Sequence, residues 1–200
     1  MSPRPQKATD EQVFAAAFRA MQRLGPSELT LAEIAAEAGI TAGALVQRFG
    51  SKRKLQIALA RAAAESAGEF LRALRAKHES PLATIHDYAE CMAGMAKTPE
   101  ALARSLAYLT VDISEPELRK PLLVQSRATR AGLEALLDEA VQKRELRTET
   151  DTATLARIVE TVIGGALFSW AIYREGTAVR CMREHIEAVL GPHLTAKGRH

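Results

Sequence analysis

Residues 30–49 read TLAEIAAEAGITAGALVQRF, and this stretch decides how the beginning of the chain folds. Thr30 is a residue type that caps helix N-termini, and Glu33 follows it at the spacing of a capping box. The small residues Ala35 and Ala38 allow this first helix to pack closely on its successor. Gly39 then accepts the left-handed conformation that a tight turn needs. The stretch therefore begins with a short helix that ends in a turn at Gly39.

A second short helix follows the turn. Thr41 is its expected N-cap, and Leu45 and Phe49 lie four residues apart on its inner face. The pair forms a helix-turn-helix, in which the outer face of the second helix meets base edges in the major groove of DNA. Many all-α proteins contain such a pair and bind no DNA, so the pattern alone leaves both alternatives open. The residues predicted to face the bases are Thr41, Ala42, Gly43, Ala44, Gln47 and Arg48.

The charge distribution favours a polyanionic partner. Basic residues cluster at Arg48, Lys52, Arg53 and Lys54, where the next helix begins with free backbone N–H groups. Residues 1–60 contain 8 Lys and Arg against 5 Asp and Glu, and the remaining 140 residues contain 19 of each. The whole net charge of +3 therefore lies in the first 60 residues.

Specific roles follow from side-chain chemistry. We expect Thr30, Lys52 and Lys54 to hold phosphates, which fix the position and affinity of a protein on DNA. Gln47 suits adenine and Arg48 suits guanine, because each can form a bidentate pair with that base.

Composition and periodicity predict helices throughout. Of the 200 residues, 47% are hydrophobic and only 4% are aromatic, a balance typical of a helical globular protein. Helix signals recur from Thr9 to Leu190, and Pro121 is expected to divide a short turn from a long helix. The fold class predicted is all-α with about nine helices. The first eight residues, which include Arg4 and Lys7, read as a flexible basic arm.

The beginning of the chain resembles the TetR family of transcriptional regulators. The resemblance lies in TDEQVFAAAFRAMQRLG at residues 9–25 and LTLAEIAAEAGITAGALVQRFGSKRKLQIAL at residues 29–59. It implies a three-helix DNA-binding head segment at residues 8–68 and a helical body segment at residues 69–195 that binds an effector and dimerises. The chain departs from the family pattern at Val46, where the family usually has a tyrosine that contacts a phosphate. Arg48 follows in place of an aromatic residue or histidine, which puts its base-reading role in question.

The resemblance implies that the last two long helices pair with a second copy of the chain. Their wide apolar stripes and the mid-helix glycines Gly164 and Gly165 agree with a close helix crossing, although burial within one chain is the alternative. The predicted interface comprises Leu155, Val159, Val162, Gly164, Gly165, Met182, Ile186 and Val189.

The resemblance also implies a small-molecule effector in the body segment. Methionines and few aromatics favour an apolar, adaptable cavity, and the same residues are equally well explained as core. The candidate lining residues are Met92, Met95, Leu106, Tyr108, Leu109, Phe168 and Trp170.

The predicted function is a ligand-responsive repressor that binds a palindromic operator as a homodimer and is released by its effector. The alternative is a helical small-molecule-binding protein whose head has lost specific DNA binding, a possibility that Val46 supports. No catalytic constellation, metal-ligand spacing or cofactor motif is visible, so the protein is not expected to be an enzyme or to hold a metal or cofactor. The two cysteines and the polar first twelve residues favour the cytoplasm over secretion, and no membrane partner is expected.

Overall fold

The computed structural model describes residues 8–199, so residues 1–7 of the predicted basic arm lie outside the described part. Within residues 8–199 the chain forms nine α-helices, two short 3₁₀ helices after the last of them, and no β-strand. The all-α prediction is confirmed. The helices are α1 (Asp10–Arg23), α2 (Leu31–Ala38), α3 (Ala42–Phe49), α4 (Lys52–Arg75), α5 (Pro81–Gly94), α6 (Pro99–Ser114), α7 (Pro116–Gln142), α8 (Thr152–Tyr173) and α9 (Ala178–Leu190).

Local side-chain bonds set the starts of the first three helices. The Thr30 hydroxyl accepts from the backbone N–H of Glu33 at 3.1 Å, and the Thr41 hydroxyl accepts from Ala44 at 3.1 Å. At Thr9 the bond is reciprocal, because the side chain of Gln12 also accepts from the Thr9 backbone N–H. Gly39 closes α2 at φ 69°, the left-handed conformation expected of it.

The chain divides into two compact units that do not coincide with the predicted segments. The head unit comprises residues 8–63 together with Ala103–Leu122, and the body unit comprises Ala64–Leu102 together with residues 123–199. The head unit therefore takes in most of α6 and the start of α7, which the sequence analysis placed in the body segment. Helices α4, α6 and α7 each contribute to both units.

An apolar cluster of buried side chains forms the core of the head unit. It unites α1, α2, α3 and α4, and it includes Tyr108 of α6. Its buried members are Val13, Ala17, Ala20, Leu29, Ile34, Ala35, Leu45, Leu55 and Tyr108.

The body unit is built on the packing of α8 against α9, with α5 beside both. Helix α8 is long and apolar enough to cross a membrane by length and composition, but core helices of soluble proteins pass the same test. Leu155 and Val159 on α8 are buried, as are Met182 and Ile186 on α9. Part of the wide apolar stripe of α8 is thus buried within the same chain.

Pro121 lies inside a continuous α7 rather than dividing it. Proline lacks the N–H that would bond to the carbonyl of Glu117, so the helix loses one bond near its start. The buried Pro121 side chain remains in the first turns, and the helix runs on to Gln142. The predicted break was wrong.

Candidate nucleic-acid interface

Helix α3 turns one face into the head core and the opposite face to solvent. Leu45 is fully buried, and the Phe49 ring lies 6.0 Å from the ring of Phe14, measured between centroids. Ala42 is half-buried and packs against the head core, so of the predicted base-facing residues it is the least accessible. The exposed residues are Thr41, Gly43, Ala44, Val46, Gln47 and Arg48.

Arg48 is held by the start of α1. Its guanidinium forms an ion pair with Asp10 and donates a hydrogen bond to the backbone carbonyl of Ala8. The guanidinium also lies 5.5 Å from the centroid of the Phe49 ring. A guanine contact by Arg48 would compete with these intramolecular bonds.

Lys52 is likewise engaged inside the head unit. Its ammonium donates to the carbonyl of Pro26 at 3.1 Å and to the carbonyl of Leu29 at 2.9 Å. These two carbonyls belong to the connection between α1 and α2. Lys52 therefore ties the start of α4 to that connection in addition to any phosphate contact.

Arg53 bridges two carboxylates at the junction of α6 and α7. Its guanidinium donates to Glu117 at 2.9 Å and to Glu115 at 3.0 Å. These hydrogen bonds raise the pKa of the Arg53 guanidinium, and the bond to Glu117 contributes more than the bond to Glu115. The sequence analysis placed Arg53 in a basic cluster but could not identify these partners, which lie more than 60 residues away.

Lys54 is the member of the cluster that remains available. Within residues 8–199 its ammonium makes no ion pair and no hydrogen bond, and its side chain is exposed. The amide of Gln47 is also exposed and unbonded within the described residues. A duplex approaching α3 would meet this amide and this ammonium, neither of which has a partner within residues 8–199, together with the exposed side chains of Thr41, Ala44 and Val46.

Two residues of α6 form hydrogen bonds with the end of α1. The sequence analysis did not link these residues to the head. Arg104 donates to the carbonyl of Gln22 at 2.8 Å, and the hydroxyl of Tyr108 donates to the carbonyl of Leu24 at 3.0 Å. Burial raises the pKa of Tyr108 to about 12, so the phenol remains a donor at neutral pH. Tyr108 was predicted to line an effector cavity, and the structure places its ring in the head core instead.

The other candidate effector residues are dispersed. Leu106 and Leu109 belong to the head unit, whereas Met92, Met95, Phe168 and Trp170 belong to the body unit. The buried Trp170 indole donates to the carbonyl of Gly176 at 3.2 Å, and Phe168 is 55% exposed on the outer face of α8. These placements do not gather the predicted set around one cavity of the body unit.

A groove of about 520 Å³ lies between α4 and α7 in the body unit. Its wall consists mainly of small and apolar residues together with the side chains of Arg72 and Arg75. Arg75 is paired with Glu139, while Arg72 makes no ion pair within the described residues. The lining residues are Gly68, Leu71, Arg72, Arg75, Ala128, Ala131, Gly132, Ala135, Leu136 and Glu139.

The predicted dimer residues divide into two sets. Leu155, Val159, Met182 and Ile186 are buried within the chain, on the two helices that pack against each other in the body unit. The structure thus assigns these four to the protomer core and not to a surface. The remaining predicted residues are half-buried (Val162 and Val189) or exposed (Gly164 and Gly165).

A different face of α8 is exposed. Its members alternate at intervals of three and four residues, the spacing of a helix–helix seam. They are Ile158, Thr161, Gly165, Phe168 and Ile172. A Cβ atom added at Gly164 or Gly165 would meet no heavy atom within 4 Å in the protomer, apart from its helix neighbours.

Two family profiles match the chain. Residues 13–59 match the profile described as bacterial regulatory proteins, tetR family, and residues 106–186 match the profile described as tetracyclin repressor-like, C-terminal domain. Together they cover more than half of the chain. No curated protein sequence matches it significantly.

Solved structures share the fold at low sequence identity. A TetR transcription regulator from Haloarcula marismortui is 18% identical with a TM-score of 0.72, and the alignment covers 93% of this chain and 98% of that one. SmeT, the repressor of the Stenotrophomonas maltophilia multidrug efflux pump SmeDEF, is 21% identical with a TM-score of 0.66 and coverages of 95% and 92%. FadR from Bacillus subtilis, in complex with stearoyl-CoA, is 17% identical with a TM-score of 0.67 and coverages of 90% and 97%.

Proposed function

The chain belongs to the TetR family of transcriptional regulators, and from that premise we propose that it is a repressor. As a homodimer it binds a palindromic operator, and it leaves the DNA when a small-molecule effector occupies its body. The proposal assigns it no catalytic activity and places it in the cytoplasm, where its operator is accessible. The observation that carries the proposal is the exposed face of α3, where neither the Gln47 amide nor the nearby Lys54 ammonium has a bonding partner among residues 8–199.

Sequence-specific DNA binding needs a rigid reading helix and free donors. The Thr41 cap and the burial of Leu45 fix the position of α3, and the Gln47 side chain can donate to and accept from an adenine. The description of SmeT as the repressor of an efflux pump supports the repressor role over activation.

The exposed seam of α8 supports the homodimer. A glycine in a helix interior costs about 1 kcal/mol relative to alanine, and the protomer itself does not need the missing side chain at Gly164 or Gly165. A second copy of α8 crossing at Gly165 accounts for both the glycines and the exposed Phe168 and Ile172. Two heads related by the resulting two-fold axis would read two half-sites about 34–36 Å apart.

The groove between α4 and α7 is the proposed effector site. Its small and apolar wall suits an apolar chain. The Arg72 guanidinium, which makes no ion pair within the described part of the chain, suits an anionic group on the same molecule. A structural relative is described in complex with stearoyl-CoA, which joins an apolar chain to phosphates. Acyl-CoA thioesters are therefore the first probes to test, with Arg72→Gln expected to weaken binding and Arg127→Gln, an exposed α7 arginine outside the groove, expected to leave it unchanged.

The deciding experiment measures DNA binding by fluorescence anisotropy at a fixed salt concentration of about 150 mM. The full chain is tested on DNA from upstream of its own reading frame and on sequences selected from a random pool. Specific binding at least about 10³-fold tighter than to scrambled DNA supports the proposal. Gln47→Ala should lower that ratio, and Gln142→Ala on α7 should not. If neither the upstream DNA nor the random pool contains a sequence that binds more tightly than scrambled DNA, the proposal is overturned. The chain would then be interpreted as a helical small-molecule-binding protein.

A further inference from the structure

Building on the proposed function, we propose that the head reads thymine methyl groups. Ala44 and Val46 contact the C5-methyl groups, and Gln47 pairs with a neighbouring adenine. The half-site beneath α3 is therefore rich in A·T pairs and is recognised mainly by apolar contact.

The first support is the placement of apolar side chains on the reading face. Ala44 lies one turn before Gln47 on the same exposed face of α3, and Val46 adjoins Gln47 on the flank away from Arg48. Val46 is 49% exposed, whereas the buried face of α3 is occupied by Leu45. Major-groove thymines present a methyl group that alanine and other apolar side chains contact. The exposure and the apolar chemistry of Val46 and Ala44 therefore suit contact with thymine methyl groups.

The second support is the engagement of the side chains that would otherwise read guanine. The Arg48 guanidinium is ion-paired with Asp10 and bonded to the Ala8 carbonyl. A bidentate arginine–guanine contact would require both bonds to break. On the described face of α3, the Gln47 amide is then the strongest available hydrogen-bonding group.

The third support is that two of the cations beside α3, Lys52 and Arg53, already have partners within the described part of the chain. Lys52 is bonded to two backbone carbonyls, and Arg53 is bonded to Glu115 and Glu117. With less phosphate attraction from these groups, specific affinity depends more on contacts to the base edges. Ala44 and Val46 are the exposed apolar side chains of α3 that can supply such contacts to thymine methyl groups.

The test uses the sites that the full-length protein selects from random DNA. Each thymine of a half-site is replaced in turn by deoxyuridine, which removes only the methyl group, and affinity is measured by anisotropy at fixed salt. We expect a loss of about fourfold per contacted methyl, the worth of one buried methylene. Val46→Ala should abolish the loss at one thymine position while other positions retain it. Val124→Ala, at an exposed valine of α7, is the matched control and should change nothing.

The outcomes separate this inference from the function on which it rests. Specific binding with equal affinity for thymine and deoxyuridine at every position would overturn methyl reading and leave the repressor proposal intact. A selected guanine whose contribution disappears in Arg48→Ala would also overturn it, because Arg48 would then leave Asp10 on DNA. Failure to select any sequence would overturn both.

Discussion

The hydroxyl of Tyr108 donates a hydrogen bond to the backbone carbonyl of Leu24, 3.0 Å away across 84 residues of chain. Leu24 is the C-cap residue of α1, so its carbonyl has no helical partner of its own. Arg104, one turn earlier on α6, bonds to the carbonyl of Gln22 in the same way. These two bonds make the segment Ala103–Leu122 a structural part of the head unit.

Removing the Tyr108 hydroxyl should destabilise the head unit. Tyr108→Phe keeps the ring in the core but removes one hydrogen bond to the part-buried carbonyl of Leu24, at a cost of about 1 kcal/mol. For a protein of this size we expect a fall in Tm of about 2–4 °C in thermal unfolding followed by circular dichroism. Tyr173→Phe is the control, because that side chain is 71% exposed. Equal melting temperatures for Tyr108→Phe and the unmodified protein would contradict the role given to this bond.

Lys52 and Lys54 should respond differently to loss of charge. Lys54→Gln removes an ammonium that has no partner among the described residues, so it should weaken binding to all DNA sequences and lower the slope of log K against log salt by about one. Lys52→Gln also removes two hydrogen bonds to the carbonyls of Pro26 and Leu29, so it should lower the melting temperature as well. Salt titrations of DNA affinity and thermal unfolding of both variants measure these effects. A destabilised Lys54→Gln, or a Lys52→Gln with unchanged stability, would reverse the assignment.

The features that could be predicted from the sequence are those that depend on residues close together in the chain. The caps at Thr30 and Thr41, the turn at Gly39 and the buried Leu45 depend on contacts within a few positions, and each appears as expected. The placement of α3 with its outer face exposed follows from these local signals.

The sequence did not predict the partners of the basic residues. Arg48 meets Ala8, 40 positions earlier, and Arg53 meets Glu115 and Glu117, more than 60 positions later. A run of cations has the same local pattern whether its members face phosphate or a carboxylate folded beside them. The sequence likewise did not predict that Val159 is buried within one chain, because an apolar stripe does not indicate which part of it the same chain covers.

Acid should remove the contribution of Glu139 to the body unit. The hydrogen bond from Arg75, 2.8 Å from the Glu139 carboxylate, lowers the pKa of Glu139 to about 2 from its usual value of 4.5. A lowered pKa in the folded state means that the stabilisation is complete above about pH 4.5 and disappears as the pH falls towards 2. We expect Glu139→Gln to lose about 1 kcal/mol of unfolding free energy at pH 7, since the pair is partly open to solvent.

Urea unfolding from pH 7 down to pH 3 measures this difference between Glu139→Gln and the unmodified protein. The difference should narrow through that window. Glu184→Gln is the matched control, because Glu184 forms a more exposed pair with Arg180 at 3.5 Å. A difference that stays constant with pH would show that Glu139 acts through packing and not through its charge.

If the exposed face of α8 is the dimer interface, Gly165→Ala should affect the stability of the protomer and the stability of the dimer in opposite directions. Gly165→Ala adds a methyl group that meets nothing in the protomer, so the isolated protomer should gain up to about 1 kcal/mol from helix propensity. If a second α8 crosses at Gly165, the same methyl group forces the helices apart and weakens the dimer. Phe168→Glu, which places a charge on the exposed seam, should weaken it more strongly.

Sedimentation equilibrium across a concentration series distinguishes the two effects. We expect Gly165→Ala and Phe168→Glu to shift the equilibrium towards monomer, while Val124→Glu, at an equally exposed apolar residue of α7, leaves it unchanged. Operator affinity should fall in parallel, since one head contacts only one half-site. A monomer–dimer equilibrium unaffected by both α8 substitutions would exclude this face as the interface. It would also leave the two mid-helix glycines, Gly164 and Gly165, without the partner that accounts for them.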